Sequence, residues 1–297
     1  MLDVSEIANP KDGPPGAAYK ALERGAWAEA ADQFRAALTT QETALPPEAR
    51  EVLESLLQGI RQALGEGDNL VGVYLRGSLV TGDFEPAASD IDFFAVTEHP
   101  VSSLEFRALA ALHARLSALP TRWGHELEGT YVDRASARRY QPCERHPTIG
   151  RGGTLEWTEH GRNWLLERWT VREQGIPLLG PDPKTLINPV SPDEKRAAVR
   201  ARLKDWAAWA NDLEDPEWQA HRGHKAYVVE TMCRALYTLQ TGELPGKPQA
   251  VEWALQNLPE PWRATVERSK SWHNDPAPDP SLIPEVRAFV LWVVSPA

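Results

Sequence analysis

The stretch that most constrains the fold is residues 71–96, where two apolar runs are separated by a turn-rich loop. The first run ends in a Gly-Ser pair, and the second begins with Asp90-Ile91-Asp92. Short apolar runs bounded by turn residues are typical of buried β-strands. Because side chains alternate along a strand, Asp90 and Asp92 are predicted to share one face while Ile91 points into the core.

These residues predict a phosphate site built over a metal ion. Asp90 and Asp92 repel each other, and such oxygen ligands suit Mg²⁺, which proteins often hold with one or two carboxylates and substrate phosphates. Gly77 permits a close approach of the backbone, and Ser78 offers a hydroxyl and an N–H to a phosphate oxygen. The alternative is a turn followed by two solvated aspartates. We therefore predict a nucleoside triphosphate bound with Mg²⁺.

A further pair of carboxylates follows one helix later. Residues 104–119 carry leucines at helical spacing and end at Pro120, and residues 125–132 then alternate as a third strand. Glu126 and Glu128 share one face of this strand. A carboxylate there would ligate the metal or act as general base on an attacking hydroxyl. An exposed edge strand, with both glutamates in solvent, is the alternative.

Composition limits the classes of function. The 297-residue chain has a net charge of −10, whereas a general nucleic-acid binder needs a basic surface. An acidic surface suits a cationic small substrate better. The two cysteines lack metal-ligand spacing, and no apolar run is long enough for a membrane span. We expect a cytoplasmic protein that binds neither nucleic acid nor membrane.

The length predicts two compact units and a short extension. Residues 1–45 contain a helical hairpin that looks like part of a tetratricopeptide repeat, and this extension is a candidate surface for a protein partner. Residues 46–188 are predicted to form the catalytic domain. Residues 189–297 are predicted to form a helical domain that begins with Ser191 as N-cap.

The segment before the helical domain is expected to be irregular. Residues 138–160 are rich in Arg, Pro, Gly and His, which predicts a long loop near the mouth of the site. Trp157 and His160 are candidates for an acceptor pocket, because aromatic faces suit cations and sugar rings. Trp164 is another candidate, but it is better explained as a core residue.

Together these motifs resemble one known family. The Gly-Ser and Asp-x-Asp strands are typical of the polymerase-beta-like nucleotidyltransferase superfamily. The Leu-Glu-x-Thr-x-Val strand and the helical C-terminal half resemble the aminoglycoside 3''-adenylyltransferases, which modify streptomycin and spectinomycin. The resemblance runs from about residue 50 to residue 275. It implies an α+β fold in which a nucleotidyltransferase domain, a small mixed sheet with helices, precedes an all-helical bundle.

The resemblance also implies an activity. It predicts an ATP- and Mg²⁺-dependent adenylyltransferase that moves AMP to a hydroxyl of a small, cationic acceptor. The family's catalytic base is the glutamate of the Leu-Glu strand, which is Glu128 here, and its metal ligands fall on Asp90 and Asp92, with Glu128 able to complete the metal shell. The residues assigned to the nucleotide in this domain are Gly77, Ser78 and Ser89.

A second family motif lies in the helical half, at residues 232–247, which read Met-Cys-Arg-Ala-Leu-Tyr-Thr-Leu-Gln-Thr-Gly-Glu-Leu-Pro-Gly-Lys. The resemblance places the triphosphate-binding arginine and lysine of the family on Arg234 and Lys247. A guanidinium and an ammonium suit phosphate oxygens. By spacing alone, the same helix face could be solvated surface with a Glu230–Arg234 pair.

The chain departs from the family at the expected drug site. Streptomycin-modifying members carry acids about ten and fourteen positions before the arginine, where this chain has His224 and Ala220. Acids nearby could supply the charge; these are Asp212, Glu214, Asp215 and Glu217. A nucleotide-contacting aromatic of the family falls on Trp272 or His273. A different acceptor, or a non-catalytic nucleotide-sensing or antitoxin-like module, is the alternative, although retention of Glu128 favours an enzyme.

Overall fold

The computed structural model describes residues 45–65 and 68–295. The helical hairpin predicted within residues 1–45 therefore lies outside the described residues. The same holds for the surface that was proposed to bind a protein partner. None of the helices within the described ranges is long and apolar enough to cross a lipid bilayer.

The described residues divide into two compact units, each with its own hydrophobic core. The first unit contains the described residues up to His160 together with Glu167–Pro189. The second unit contains Gly161–Leu166 and the chain from Val190 onward.

A six-stranded mixed sheet organises the first unit. Its strands are, in chain order, β1 (Leu70–Arg76), β2 (Ile91–Thr97), β3 (Leu127–Asp133), β4 (Arg145–Ile149), β5 (Glu156–Glu159) and β6 (Ile176–Leu179). Their order in the sheet is β5-β4-β3-β2-β1-β6, in which β2 and β3 run parallel and every other neighbouring pair is antiparallel. The three strands predicted around the Gly-Ser, Asp-x-Asp and Leu-Glu motifs are confirmed as β1, β2 and β3.

Eleven α-helices lie within the described residues. They are α1 (Pro47–Leu64), α2 (Ser78–Thr81), α3 (Ser103–Ser117), α4 (Arg134–Arg138), α5 (Asn163–Gln174), α6 (Pro183–Leu186), α7 (Pro192–Asn211), α8 (Arg222–Thr241), α9 (Lys247–Asn257), α10 (Trp262–Ser269) and α11 (Ile283–Val294). The predicted start of α7 is confirmed, since Ser191 and Glu194 form a capping box there.

The two faces of the sheet differ in what covers them. One face packs beneath α1 and α3, which contribute Leu56, Ile60 and Leu112 to a core shared with Ile91 and Phe93 of β2. Alternation along β2 turns Asp92 and Phe94 to the opposite face. That face meets α5, where Arg168 lies 5.9 Å from the centroid of the Phe94 ring. Asp92 and the residues paired with it on neighbouring strands therefore lie on the α5 side.

The prediction of a long loop over residues 138–160 is wrong. The segment contains β4 and β5, which pair as a hairpin with Pro147 opposite Trp157. All four residues of β5 are exposed, so this strand has no buried side that could produce an apolar alternation. Trp164, in contrast, is buried as predicted, with 9% of its surface exposed.

The second unit is a bundle of α7 to α11 around its own apolar core. The core side of α8 carries Val228, Met232 and Cys233, all fully buried. Trp209 at the end of α7 stacks on Trp218 with ring centroids 3.9 Å apart. The predicted combination of a mixed-sheet nucleotidyltransferase domain with a helical C-terminal bundle is confirmed.

Candidate active site

Three charged residues lie side by side on the α5 face of the sheet. Arg76 of β1 is the pairing partner of Asp92 on β2, and Asp92 is the partner of Glu128 on β3. Directly paired residues on neighbouring strands point to the same face, so the guanidinium and the two carboxylates meet. Arg76 Nη2 is 3.0 Å from Asp92 Oδ1 and 3.7 Å from Glu128 Oε1.

A fourth charged residue reaches this row from α5. Glu167 Oε2 accepts a hydrogen bond from Arg76 Nη1 at 2.8 Å. Arg76 is only 5% exposed, and three carboxylates therefore surround a buried guanidinium. Asp90, directly before β2, adds a fourth negative charge near Arg76. The four carboxylates exceed the single positive charge of Arg76.

The pKa values of the cluster reflect this excess of negative charge. Burial raises the pKa of Asp92 to about 8; Arg76 opposes this shift, whereas Asp90, Glu128 and Glu167 add to it. Burial also raises the pKa of Glu128, again against the effect of Arg76. Burial lowers the pKa of Arg76, but the surrounding carboxylates outweigh burial, so its pKa is raised overall. The carboxylates are thus poised to gain from an additional cation.

The Gly-Ser turn packs directly against Asp92. Gly77 has a φ of +65°, and a Cβ at this position would overlap the Asp92 carboxylate. Only glycine meets both requirements without strain. The hydroxyl of Ser78 is buried and has no hydrogen-bond partner among the described residues. Its hydrogen-bonding capacity is therefore unused within the described residues.

Ser89 and Asp90 lie in the loop that enters β2. The Ser89 hydroxyl accepts a hydrogen bond from the Glu85 N–H at 2.9 Å, and Arg122 Nη2 donates to the Ser89 carbonyl at 3.0 Å. The loop is thus fixed on both sides, while Asp90 at its end is partly exposed.

The cluster fits a magnesium ion that the substrate helps to bind. Within residues 45–65 and 68–295, no three His, Cys, Asp or Glu side chains form a complete metal site by themselves. Mg²⁺ commonly needs only one or two carboxylates, with phosphates and waters filling its other positions. Asp92 and Glu128 on adjacent strands, with Asp90 close to Asp92, meet that requirement.

Arg234 and Lys247 lie in the second unit. Arg234, on α8, donates from Nε to the carbonyl of Pro245 at 3.2 Å, which brings it to the loop before α9. Lys247, the first residue of α9, has its Nζ 5.7 Å from the ring centroid of Tyr227 on α8. The structure thus places both cations on the region where α8 meets α9. Glu230 pairs with His273 Nδ1 at 3.0 Å instead of with Arg234.

The remaining aromatic candidates are now distinguished. Trp272 is 3% exposed in the core of the second unit, whereas the side chain of His273 is 36% exposed, so only His273 is accessible to a nucleotide. Trp157 stacks on Phe106 with ring centroids 5.6 Å apart. His160 is 1% exposed and lies 3.0 Å from the Thr148 hydroxyl, which makes it a poor candidate for the acceptor pocket.

Comparisons with known proteins match parts of both units to described domains. Residues 57–123 match the nucleotidyltransferase domain, and residues 185–294 match the aminoglycoside adenylyltransferase C-terminal domain. A spectinomycin 9-adenylyltransferase of Staphylococcus aureus is 27% identical over 206 residues, which cover 65% of this chain and 74% of that protein. An aminoglycoside (3'')(9) adenylyltransferase of Klebsiella pneumoniae is 27% identical over 208 residues, which cover 66% and 75%.

The fold has a counterpart among solved structures. A spectinomycin adenyltransferase from Enterococcus faecialis, crystallised with ATP and spectinomycin, aligns with a TM-score of 0.66 and 17% identity. The alignment covers 82% of this chain and 97% of that protein. The match to the nucleotidyltransferase domain, together with the relatives named as adenylyltransferases, identifies this protein as a nucleotidyltransferase. Within that class, the chain is similar to the aminoglycoside adenylyltransferases, through the match of residues 185–294 to their C-terminal domain and through relatives that are 27% identical.

Sequence reasoning missed two residues of the cluster, Arg76 and Glu167. Arg76 gave a signal, because a charge at the end of an apolar strand, directly before the Gly-Ser pair, is unusual. Glu167 gave none, since it is one of several charged residues on α5 and lies 91 positions from Arg76.

Proposed function

We propose that this protein transfers AMP from ATP to a hydroxyl group of an aminocyclitol antibiotic, with spectinomycin as the first candidate. The observation that carries the proposal is the pairing of Asp92 with Glu128 across the parallel strands β2 and β3, beside the Gly77-Ser78 turn. This arrangement combines a buried carboxylate with an accessible one, since the Asp92 side chain is 11% exposed and that of Glu128 is 40% exposed.

The two carboxylates suit different roles. Glu128 is accessible to an incoming hydroxyl. Its pKa is raised in the direction of neutral pH, and a general base is most effective when its pKa lies near the working pH. We propose that Glu128 accepts the proton of the acceptor hydroxyl. The acceptor oxygen forms a bond to the α-phosphorus of ATP, the bond from that phosphorus to the bridging oxygen breaks, and pyrophosphate leaves with the electron pair.

Asp90 and Asp92, with Glu128 as a further ligand, are the residues that would hold Mg²⁺. Bound Mg²⁺ supplies positive charge to the triphosphate and to the departing pyrophosphate. Gly77 lets the chain pass close to Asp92, and we assign the unpartnered hydroxyl of Ser78 to a phosphate oxygen. We assign Ser89 a supporting role at the nucleotide, because its hydroxyl and its backbone both hold the loop that carries Asp90.

The second unit would contribute the basic groups. We assign Arg234 and Lys247 to the triphosphate, where a guanidinium and an ammonium offset the charge that builds up on pyrophosphate. His273 is the aromatic residue that we assign to the nucleotide, since Trp272 is buried.

The choice of acceptor depends on the positions before Arg234 at which streptomycin-modifying members of the family carry acids. His224 and Ala220 replace the acids of streptomycin-modifying members, which argues against streptomycin. Relatives at 27% identity are named spectinomycin 9-adenylyltransferases. Exposed acids before α8 provide a surface for a cationic molecule; these are Asp212, Glu214 and Glu217.

The test is acceptor-dependent release of pyrophosphate. Purified protein is incubated with ATP and Mg²⁺ alone, with spectinomycin and with streptomycin, and the drugs are then analysed by mass spectrometry. We expect release and an AMP adduct with spectinomycin, and little of either with streptomycin. Release without a drug adduct, or no release with either drug, would reject an aminocyclitol acceptor.

A further inference from the structure

Arg76 is the least expected member of the catalytic cluster. Its guanidinium contacts Asp92 at 3.0 Å, Glu128 at 3.7 Å and Glu167 at 2.8 Å, so it offsets part of the negative charge that the proposed function assigns to Mg²⁺. A cation held between two metal ligands competes with the metal for their oxygens. Arg76 thus takes the electrostatic role of the divalent ion whenever that ion is absent.

Arg76 cannot give up all of its partners. Its side chain is 6% exposed, and a buried guanidinium without a carboxylate is strongly destabilising. If Mg²⁺ takes oxygens of Asp92 and Glu128, Arg76 still has Glu167, which is the closest of its three carboxylate contacts. Glu167 comes from α5 rather than from the strands that supply the metal ligands.

We propose that Arg76 is an internal counter-ion that competes with the divalent cation for Asp92 and Glu128, and that Glu167 retains Arg76 when the cation binds. The inference rests on the proposed function, because it takes the metal ligands from it. Arg76 and Glu167 are positioning residues in this scheme. Glu167 favours metal binding without ligating the metal, whereas Arg76 opposes it.

The chain offers a matched control for Glu167. Glu173 lies on the same helix, and its side chain is 29% exposed compared with 30% for Glu167. Glu173 also forms ion pairs, with Arg172 and Lys184, but these are separate from the carboxylate cluster. Glu167→Gln and Glu173→Gln therefore remove the same charge from the same helix, and only the first removes a partner of Arg76.

The experiment measures Mn²⁺ binding to the full chain by electron paramagnetic resonance of the free ion, at fixed pH, with and without a non-hydrolysable ATP analogue that supplies phosphate ligands. We expect Glu167→Gln to bind Mn²⁺ about tenfold more weakly than the unchanged protein, the equivalent of one charge-assisted hydrogen bond. Glu173→Gln should bind Mn²⁺ like the unchanged protein. Arg76→Gln should bind it more tightly and show a larger Mn²⁺-induced rise in Tm.

Each result bears on the proposal. Equal Mn²⁺ affinity in Glu167→Gln and Glu173→Gln would overturn it, and so would weaker binding in Arg76→Gln, since Arg76 would then only support the site. Arg76→Lys, which keeps the charge, should show an affinity close to that of the unchanged protein. If the unchanged protein binds no Mn²⁺, this inference fails, while acceptor-dependent pyrophosphate release in the same preparation still decides the proposed function.

Discussion

The acidic part of the proposal, in the first unit, and its basic part, in the second unit, are built in opposite ways. In the first unit, Asp92 and Glu128 are paired across neighbouring strands and are balanced by a buried arginine. In the second unit, Arg234 and Lys247 are long, partly exposed side chains on helices, each held by a hydrogen bond or a contact with an aromatic ring. The difference teaches that strand register fixes the acidic part, whereas the basic part depends on side-chain contacts between helices.

The strongest test of this comparison removes the proposed base. Glu128→Gln should lower pyrophosphate release by a factor of about 10² to 10⁴, the usual contribution of a positioned base. Glu98→Gln is the control, because its side chain is also 40% exposed and also pairs with an arginine, Arg134. Equal activity of the two variants would show that Glu128 is not the base.

The rigidity of the acidic part can be tested at Gly77. Gly77→Ala adds a Cβ that overlaps the Asp92 carboxylate and places alanine at a φ of +65°. Gly82→Ala has the same kind of backbone strain at a φ of +82°, but no atom lies within 4 Å of its Cβ. Denaturant unfolding should show a loss of about 1 to 2 kcal/mol for Gly82→Ala, from backbone strain alone. Gly77→Ala should lose more and should also lose activity; equal losses would mean that Asp92 yields easily.

We expect a smaller loss of activity from a substitution in the basic part. Arg234→Ala should lower kcat/KM for ATP by about 10- to 100-fold, because it removes a charged partner of the triphosphate. Its free energy of unfolding should change little, since the side chain is partly exposed. Arg202→Ala, which removes an exposed arginine paired with Asp205 on α7, is the control. A loss of stability in Arg234→Ala that matches the loss of activity would indicate a structural role.

The smallest predicted effect is the pH dependence of stability that the buried His113 gives to the first unit. His113 is 2% exposed, its Nε2 lies 2.8 Å from the Tyr131 hydroxyl, and burial lowers its pKa from 6.5 to about 4. Its neutral form is therefore favoured in the folded state. The resulting stability is present above pH 6.5 and is lost as the pH falls toward 4.

Unfolding in urea at two pH values measures this contribution. Between about pH 6.5 and about pH 5.5 the folded protein should lose about 1 kcal/mol through His113. His113→Gln should lose less stability over that interval, by the same amount. His99→Gln, at an exposed site after β2, is the control. An unchanged pH dependence in His113→Gln would contradict the prediction.

Much of the fold was predictable because it follows from local patterns. The β1 and β2 strands are buried on both faces and appear in the sequence as short apolar runs. Helices α1 and α3 bury one side, which gives a helical periodicity. The β4–β5 hairpin was not predictable in this way. Its outer strand is wholly exposed, and Pro147 in β4 reads as a loop residue.

The site was predictable only as far as motifs reach. Asp90, Asp92 and Glu128 follow from strand alternation and the family motif. The position of Arg76 beside them depends on the register between β1 and β2, which alternation alone does not determine. Glu167 depends on the tertiary contact between α5 and the sheet, so no local pattern could have indicated it.

The exposed strand β5 has a further consequence for self-association. In the part of the chain that the structure describes, β5 and β6 are the two edges of the sheet, and an unpaired edge can recruit a strand from another copy. A second copy pairing with β5 would meet the carboxylates of Glu156 and Glu159. On the other edge, Pro177 removes an N–H donor from β6. The strand that buries nothing thus helps to keep copies of this sheet from aggregating.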